Sequence, residues 1–261
     1  MNNLIDKLKI LKNLGVVAIK QSLEDEGASF EDLIFMRKLT KKLNLKLNVK
    51  IGGCEAKNDI FFCHLLSVNG IVAPMVESEY ALKKFIQSVP SSFKGDLYVN
   101  IESKNAIYNL NKILSKNEFR KLKGVVVGRS DLAGSFNLPK TEVDSRKIFN
   151  LMQLNLKKIK KKKKLVKMGG SITKNSKNFI SMLFKKKLID RVETRNIELK
   201  LNNKMLYNFD KTIALIFSFE TAWLRYKYDQ FKLNKIVKKS ILKRILEIDK
   251  REKNFTKCTN L

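Results

Sequence analysis

The sequence predicts an α/β chain: a TIM-type (β/α)8 barrel, with an irregular or missing strand, carrying a C-terminal helical extension. Three observations point there. Short β-rich apolar runs alternate with longer helical patterns through residues 15–201, the signature of parallel strands joined by helical crossovers. Those runs repeatedly end in polar or glycine-rich clusters, as strands do at the C-terminal rim where such barrels build their active sites. The chain has 261 residues, 44% of them hydrophobic, which suits a full core and one barrel of roughly 250 residues.

The elements follow in order. Residues 1–14 alternate lysine with leucine and isoleucine and read as an amphipathic helix. Gly15-Val-Val-Ala-Ile-Lys20 is the first strand. Residues 29–43 set Phe30, Leu33, Ile34, Met36 and Leu39 at helical spacing. Leu45-Lys-Leu-Asn-Val-Lys-Ile51 alternates as a strand and ends at Gly52 and Gly53. A helix near 58–67 leads to the strand at 70–76, and a helix at 78–88 leads to Leu97-Tyr-Val-Asn-Ile-Glu102. Residues 104–114 are helical, and 124–128 form the strand that precedes Asp131. A helix over 144–159 is followed by the strand at 165–168 and by Gly169, Gly170 and Ser171. After a helix at 175–187, Arg191-Val-Glu-Thr-Arg195 is the seventh strand. The eighth is either the second half of the 191–201 run or absent. Two long helices, 210–231 and 233–253, close the chain. The reading is therefore a barrel over 1–205 and a helical pair over 206–261 that caps the barrel or mediates oligomerisation.

Charge and cysteine usage narrow the function classes. The net charge is +29, but lysine is spread along the whole chain, and the one dense block, 157–164, stands just before a strand. Arginine is sparse and no aromatics interleave with the block. Specific nucleic-acid binding is therefore not expected, while weak, salt-sensitive adhesion to polyanions is. Cys54, Cys63 and Cys258 form no CxxC pair and read as free thiols of a reducing compartment. The single histidine, His64, follows Cys63 directly, which sets the two side chains in different directions on a helix and argues against a Cys–His mechanism. The start of the chain is not patterned as a signal peptide, and no apolar run approaches the roughly 18 residues of a membrane span. A soluble, cytoplasmic protein is expected.

The residues that stand out for chemistry are Glu102 and Asp131. Each lies just past an apolar strand, with about one βαβ unit between them, so both fall at the rim of neighbouring strands. Two carboxylates converging there suit a hard divalent cation, Mg²⁺ or Mn²⁺. The bland alternative for Glu102 is an ion pair with one of the many lysines. Further rim candidates are Lys20 with Glu24 and Glu26, Lys50 with Gly52, Gly53 and Glu55, Glu77, Arg129 beside Asp131, Ser171, and Glu193 with Arg195. Strand ends always carry polar residues and turn glycines, which accounts for any one of these but poorly for the series. Glu193 and Arg195 either complete a pocket or form a structural ion pair.

The order Val-Ala-Pro-Met-Val (72–76), Val-Asn-Ile-Glu-Ser (99–103) and Val-Val-Gly-Arg-Ser-Asp-Leu-Ala-Gly-Ser (126–135) resembles the HpcH/HpaI aldolase and citrate lyase family, over roughly residues 15–200. The resemblance implies a pyruvate/phosphoenolpyruvate-type barrel that makes or breaks C–C bonds beside a keto acid, with Mg²⁺ or Mn²⁺ holding an enolate. It implies that Glu102 and Asp131 are the metal-binding carboxylates and that Lys50 stands about where the family has a substrate-binding arginine. It also implies a small-molecule partner and a homo-oligomer, trimeric or hexameric. Departures from the family pattern are equally plain. The stretch Leu23-Glu-Asp-Glu-Gly-Ala28 has glycine where the catalytic histidine would fall, leaving Glu24, Glu26, Lys20 or metal-bound water as base. Gly-Arg-Ser-Asp replaces Gly-Pro-x-Asp, so Arg129 is either a phosphate or carboxylate contact or the partner of an acid outside the site.

The expected function is a metal-dependent carbon–carbon lyase or aldolase on a pyruvate-like 2-keto acid. Lys50, Glu24 and Glu26 are its candidate catalytic groups. Lys20, Gly52, Gly53, Arg129, Ser130, Glu193 and Arg195 are its candidate substrate contacts. The alternatives are a non-catalytic barrel serving as scaffold or polyanion binder, or an enzyme using phosphoenolpyruvate, a sugar-derived keto acid or an acyl-CoA.

Overall fold

The structure, a computed structural model, describes residues 1–24 and 26–256, with side chains through 251; Cys258 lies outside the described residues. The chain divides into two compact units, Val17–Leu201 and a second made of Met1–Val16 with Asn202–Leu261.

The first unit carries a closed barrel in the order β1 to β8. The chain runs β1 (Val16–Ser22), α2 (Phe30–Leu43), β2 (Lys46–Lys50), α3 (Lys57–Leu65), β3 (Gly70–Ala73), α4 (Glu79–Ser88) and β4 (Asp96–Asn100); α1 (Asn2–Asn13) precedes it and belongs to the second unit. Three short helices follow, α5 (Lys104–Tyr108), α6 (Leu110–Ser115) and α7 (Asn117–Arg120), where one helix was expected over 104–114. Then come β5 (Gly124–Gly128), α8 (Arg129–Ser135), α9 (Arg146–Lys161), β6 (Leu165–Gly169), α10 (Lys177–Lys185), β7 (Arg191–Glu193) and β8 (Ile197–Lys200).

Local chemistry explains the helix starts. Ser29 Oγ accepts from the Asp32 amide at 3.2 Å while Asp32 accepts from the Ser29 amide at 2.9 Å. This reciprocal cap satisfies two otherwise orphaned donors and stabilises α2 by about 1 kcal/mol. Ser78, Ser103 and Ser145 cap α4, α5 and α9 through the same side-chain oxygen.

Strands β1 to β7 are parallel, but β8 pairs antiparallel with β7, Glu193 opposite Glu198 and Arg191 opposite Lys200. This is the irregular strand of the expected barrel, and the eighth strand is the second half of the 191–201 run. Only Thr194, Arg195 and Asn196 separate β7 from β8, too few for a crossover helix, so the chain turns back as a hairpin. Closure is made by the Lys20 amide donating to the Asn196 carbonyl at 2.8 Å.

The barrel interior is not wholly apolar. Val72, Tyr98 and Val126 pack together with Leu165. Beside them Lys167, 0% exposed, donates to Glu198 Oε2 at 2.6 Å and lies 3.5 Å from the Tyr98 ring centroid. Arg191 pairs with the other oxygen of Glu198, and Asn48 Nδ2 donates to Oε2 at 2.7 Å. Burying a lysine requires a counter-charge and hydrogen bonding; Glu198 supplies the charge and one acceptor, and the Tyr98 ring faces the ammonium.

The second unit contains α1, α11 (Asn203–Tyr207), α12 (Phe209–Gln230) and α13 (Lys235–Thr256). Helix α12 packs against both α1 and α13, and Lys7 Nζ donates to Ser218 Oγ at 2.7 Å. Among the described residues no helix is long and apolar enough to cross a membrane. Within the lysine-rich block, Lys160 grips both oxygens of Asp190 at 2.9 and 2.8 Å, and Lys164 donates to the Arg120 and Leu122 carbonyls. Part of that block is thus structural.

Candidate active site

The C-terminal ends of β1, β2, β4, β5 and β7 bring together Lys20, Lys50, Glu102, Asp131 and Glu193. Glu102 follows β4 and is 2% exposed. Its Oε2 accepts from Asn100 Nδ2 at 2.8 Å and its Oε1 from the Met75 amide at 3.3 Å. Met75 reaches that position with φ +48°, a left-handed conformation uncommon outside glycine. Asp131 sits in the first turn of α8. Its meeting with Glu102 is written on Gly128: a Cβ there would collide with Glu102 Oε2 and lie 3.5 Å from Asp131 Oδ2. Burial raises the Glu102 carboxyl above its ordinary range and the Asp131 charge adds to this, while Lys50, Asn100 and the Met75 amide oppose it.

Lys20 Nζ donates to Glu193 Oε1 at 3.0 Å. Burial works against its ammonium, but Glu193, Glu26 and Glu102 outweigh burial and hold the lysine above its usual range. Glu26 also pairs with Arg195 at 3.6 Å and accepts from Asn196 Nδ2 at 3.2 Å. In a chain of strongly positive net charge, this mouth gathers four acids, Glu26, Glu102, Asp131 and Glu193, against Lys20, Lys50 and Arg195.

The two carboxylates fit a divalent cation. They flank one side-chain-free position, Asn100 Oδ1 beside Glu102 is buried without a hydrogen-bond partner among the described residues, and mutual repulsion is what a cation relieves. No three His, Cys, Asp or Glu side chains gather as a metal cluster among the described residues. A two-carboxylate site leaves the other coordination positions to substrate and water, as magnesium sites commonly do.

Several predicted residues stand elsewhere. Glu24 is exposed and faces Gly52, whose amide donates to Asp59 Oδ2 at 2.7 Å. Glu24, Gly52 and Gly53 line a separate surface hollow of about 650 Å³ with Glu55 and Asp59. Glu24 thus lies beside Gly52 in that hollow, while Glu26 lies with Lys20 and Arg195. Arg129 is enclosed. It is 0% exposed, pairs with Asp144, donates to the Gly169, Gly170 and Ser176 oxygens at 3.4, 2.8 and 3.3 Å, and stacks over Phe179. The guanidinium therefore ties α8, which carries Asp131, to the turn after β6. Ser130 bonds Ser171 at 2.9 Å, Oγ to Oγ. Glu77 binds Ser103 and, through its carbonyl, Asn109.

The Cys–His alternative is not assembled. Cys63 is buried and its thiol is pushed up to about 12, by burial first and Asp59 second. His64 turns to Ser92, 3.3 Å from Nε2, at the N-terminal end of the barrel. Asn100 escaped the sequence reading. Asn100 had a signal, standing two residues before Glu102 on the same strand face.

Gly128 also gives a test. Replacing it with alanine is expected to push Glu102 off its position and weaken Mg²⁺ binding about tenfold or more, the scale of losing an outer partner of a metal ligand. Calorimetric titration with MgCl₂ checks this, with a circular dichroism melt to confirm folding.

No protein-family model matches the sequence, and no curated protein matches it. Solved structures do match in fold. An HpcH/HpaI aldolase from Desulfitobacterium hafniense superposes with a TM-score of 0.62 at 10% identity, over 88% of this chain and 90% of that one. An HpcH/HpaI aldolase/citrate lyase family protein from Burkholderia cenocepacia gives 0.60 at 12% identity, over 83% and 90%. The citrate synthase SbnG gives 0.59 at 13% identity, over 84% and 91%. The α/β barrel of this chain has the fold of the HpcH/HpaI aldolase and citrate lyase structures.

Proposed function

We propose that the protein is a divalent-metal-dependent carbon–carbon lyase or aldolase acting on a pyruvate-like 2-keto acid. The observation that carries this reading is the convergence of Glu102 and Asp131 over Gly128 at the barrel mouth. The two carboxylates would hold Mg²⁺ or Mn²⁺, which when bound would act as a Lewis acid on the substrate carbonyl.

The protein's own groups then have distinct tasks. Asn100 and the Met75 amide fix the rotamer of Glu102, so that its geometry is set before ligand arrives. Lys50 places an ammonium toward Glu102 and balances the charge of a substrate carboxylate. Arg129 holds α8, and with it Asp131, against the turn after β6. Glu26, rather than Glu24, is the early acid that lies with this group; with glycine at position 27, it is the nearer candidate for moving a proton. An oligomer and a cytoplasmic setting remain part of this proposal.

The test is titration of Mg²⁺ with and without oxalate, a dianion that mimics a chelated keto acid. Each is expected to tighten the other's binding by the same factor, as linkage requires. Absence of Mg²⁺ and Mn²⁺ binding to the wild-type chain would sink the lyase reading.

A further inference from the structure

Gly128 and Gly169 are register partners on β5 and β6, and together they form a floor without side chains. On one side stand Glu102 and Asp131. On the other stands Glu193: a Cβ at Gly169 would lie 3.2 Å from its Cγ and 3.4 Å from its Oε1. Glu193 is 5% exposed. Its Oε1 accepts from Lys20, while its Oε2 has no hydrogen-bond partner among the described residues. A buried carboxylate oxygen is rarely left so, because it has given up its water for nothing. Asn100 Oδ1 shares the condition. Both atoms are pure acceptors. Two buried acceptors, one near each side of the glycine floor, thus lack a donor.

We propose that Glu193, fixed by Lys20, is the specificity-determining acceptor of this site. Its Oε2 takes a hydrogen bond from a hydroxyl or amine on the arm of the ligand that points away from Glu102 and Asp131. The same oxygen, with Glu26 nearby on Lys20, turns away an arm that ends in a carboxylate. Lys20 occupies Oε1 and leaves Oε2 as the oxygen without a partner. The inference rests on the keto-acid reading above and adds to it which end of the ligand meets which wall.

The experiment is calorimetric titration of the full chain, saturated with Mg²⁺, with three probes: 2-oxobutanoate, 4-hydroxy-2-oxobutanoate and 2-oxoglutarate. The hydroxylated acid is expected to bind about tenfold or more tightly than 2-oxobutanoate, the worth of a hydrogen bond to a charged group. 2-Oxoglutarate is expected to bind more weakly than 2-oxobutanoate. Glu193→Ala should erase the hydroxyl preference, so that 4-hydroxy-2-oxobutanoate and 2-oxobutanoate bind alike. Glu193→Gln, which keeps an acceptor oxygen without the charge, should retain part of the preference and admit 2-oxoglutarate; it serves equally if the alanine variant does not fold. Equal binding of the hydroxylated and plain acids to the wild type, or a preference that survives Glu193→Ala, overturns the proposal. Failure of 2-oxobutanoate itself to bind overturns the keto-acid reading, and this inference with it.

Discussion

Asp131→Asn and Glu102→Gln are each expected to weaken Mg²⁺ binding by about 100-fold or more, beyond the ~10–100-fold that follows loss of a metal ligand's outer partner. Both substitutions keep shape and remove one negative charge. Their effects on folding should differ from their effects on the ion. Glu102 is buried, and burial together with Asp131 raises its carboxyl; the metal-free pair repels itself. Asp131→Asn relieves that repulsion and is expected to leave the apo protein at least as stable as wild type, a case of a site held at some expense to the fold. Calorimetric titration with MgCl₂ reads the affinity, and a thermal melt without metal reads the stability. Unchanged affinity in both variants would place the cation elsewhere and remove the carboxylate pair from the site.

The second large effect lies deeper in the barrel. Glu198→Ala is expected to destabilise the protein by about 3–5 kcal/mol, the scale for breaking a buried ion pair and stranding its partner. Lys167 has no exposed surface and would lose its counter-charge; Arg191 would lose its own. Replacing both ends, Lys167→Met with Glu198→Leu, is expected to recover much of the loss, because the desolvation of the lysine disappears with it. Urea unfolding of the three proteins checks this. A loss below about 1 kcal/mol for Glu198→Ala would mean that water reaches the cluster, as at exposed pairs.

The same cluster sets an acid limit. Burial pushes the Glu198 carboxyl up, but Lys167 and Arg191 more than reverse this and hold it below its ordinary range. Its ionised form is thus favoured in the folded state. The stability it contributes is fully present above the unfolded value of about 4.3 and is lost as pH falls through the lower folded value. The double variant should lack this part of the acid-induced loss, which urea midpoints measured at pH 7 and below pH 4 would reveal.

Much of this molecule could be read from local pattern. The alternation of β-rich runs and helical stretches fixed the strand order, because period-2 and period-3.6 hydrophobicity each admit one way of burying their apolar face. The rim position of Glu102 and Asp131 was expected from counting, since Glu102 comes two residues after β4 and Asp131 three after β5. Lys167 left a faint trace, a lysine amid Leu-Val-Lys-Met-Gly, though nothing in that stretch names Glu198 as its partner.

Closure of the barrel decided the rest. Thr194 to Asn196 could end a strand or turn one, and only pairing of β8 with both β7 and β1 made the turn. Arg129 stands two residues from Asp131, yet it points to Asp144 and Ser176, acids and hydroxyls that the sequence places far along the chain. Glu24 and Glu26 are interchangeable as letters; Arg195, Asn196 and Lys20 capture the second and leave the first in solvent. Local residues determine what each segment becomes, because their preferences act over a few bonds. Which charge meets which, and which oxygen is left without a partner, depends on contacts between segments that only the closed barrel brings together.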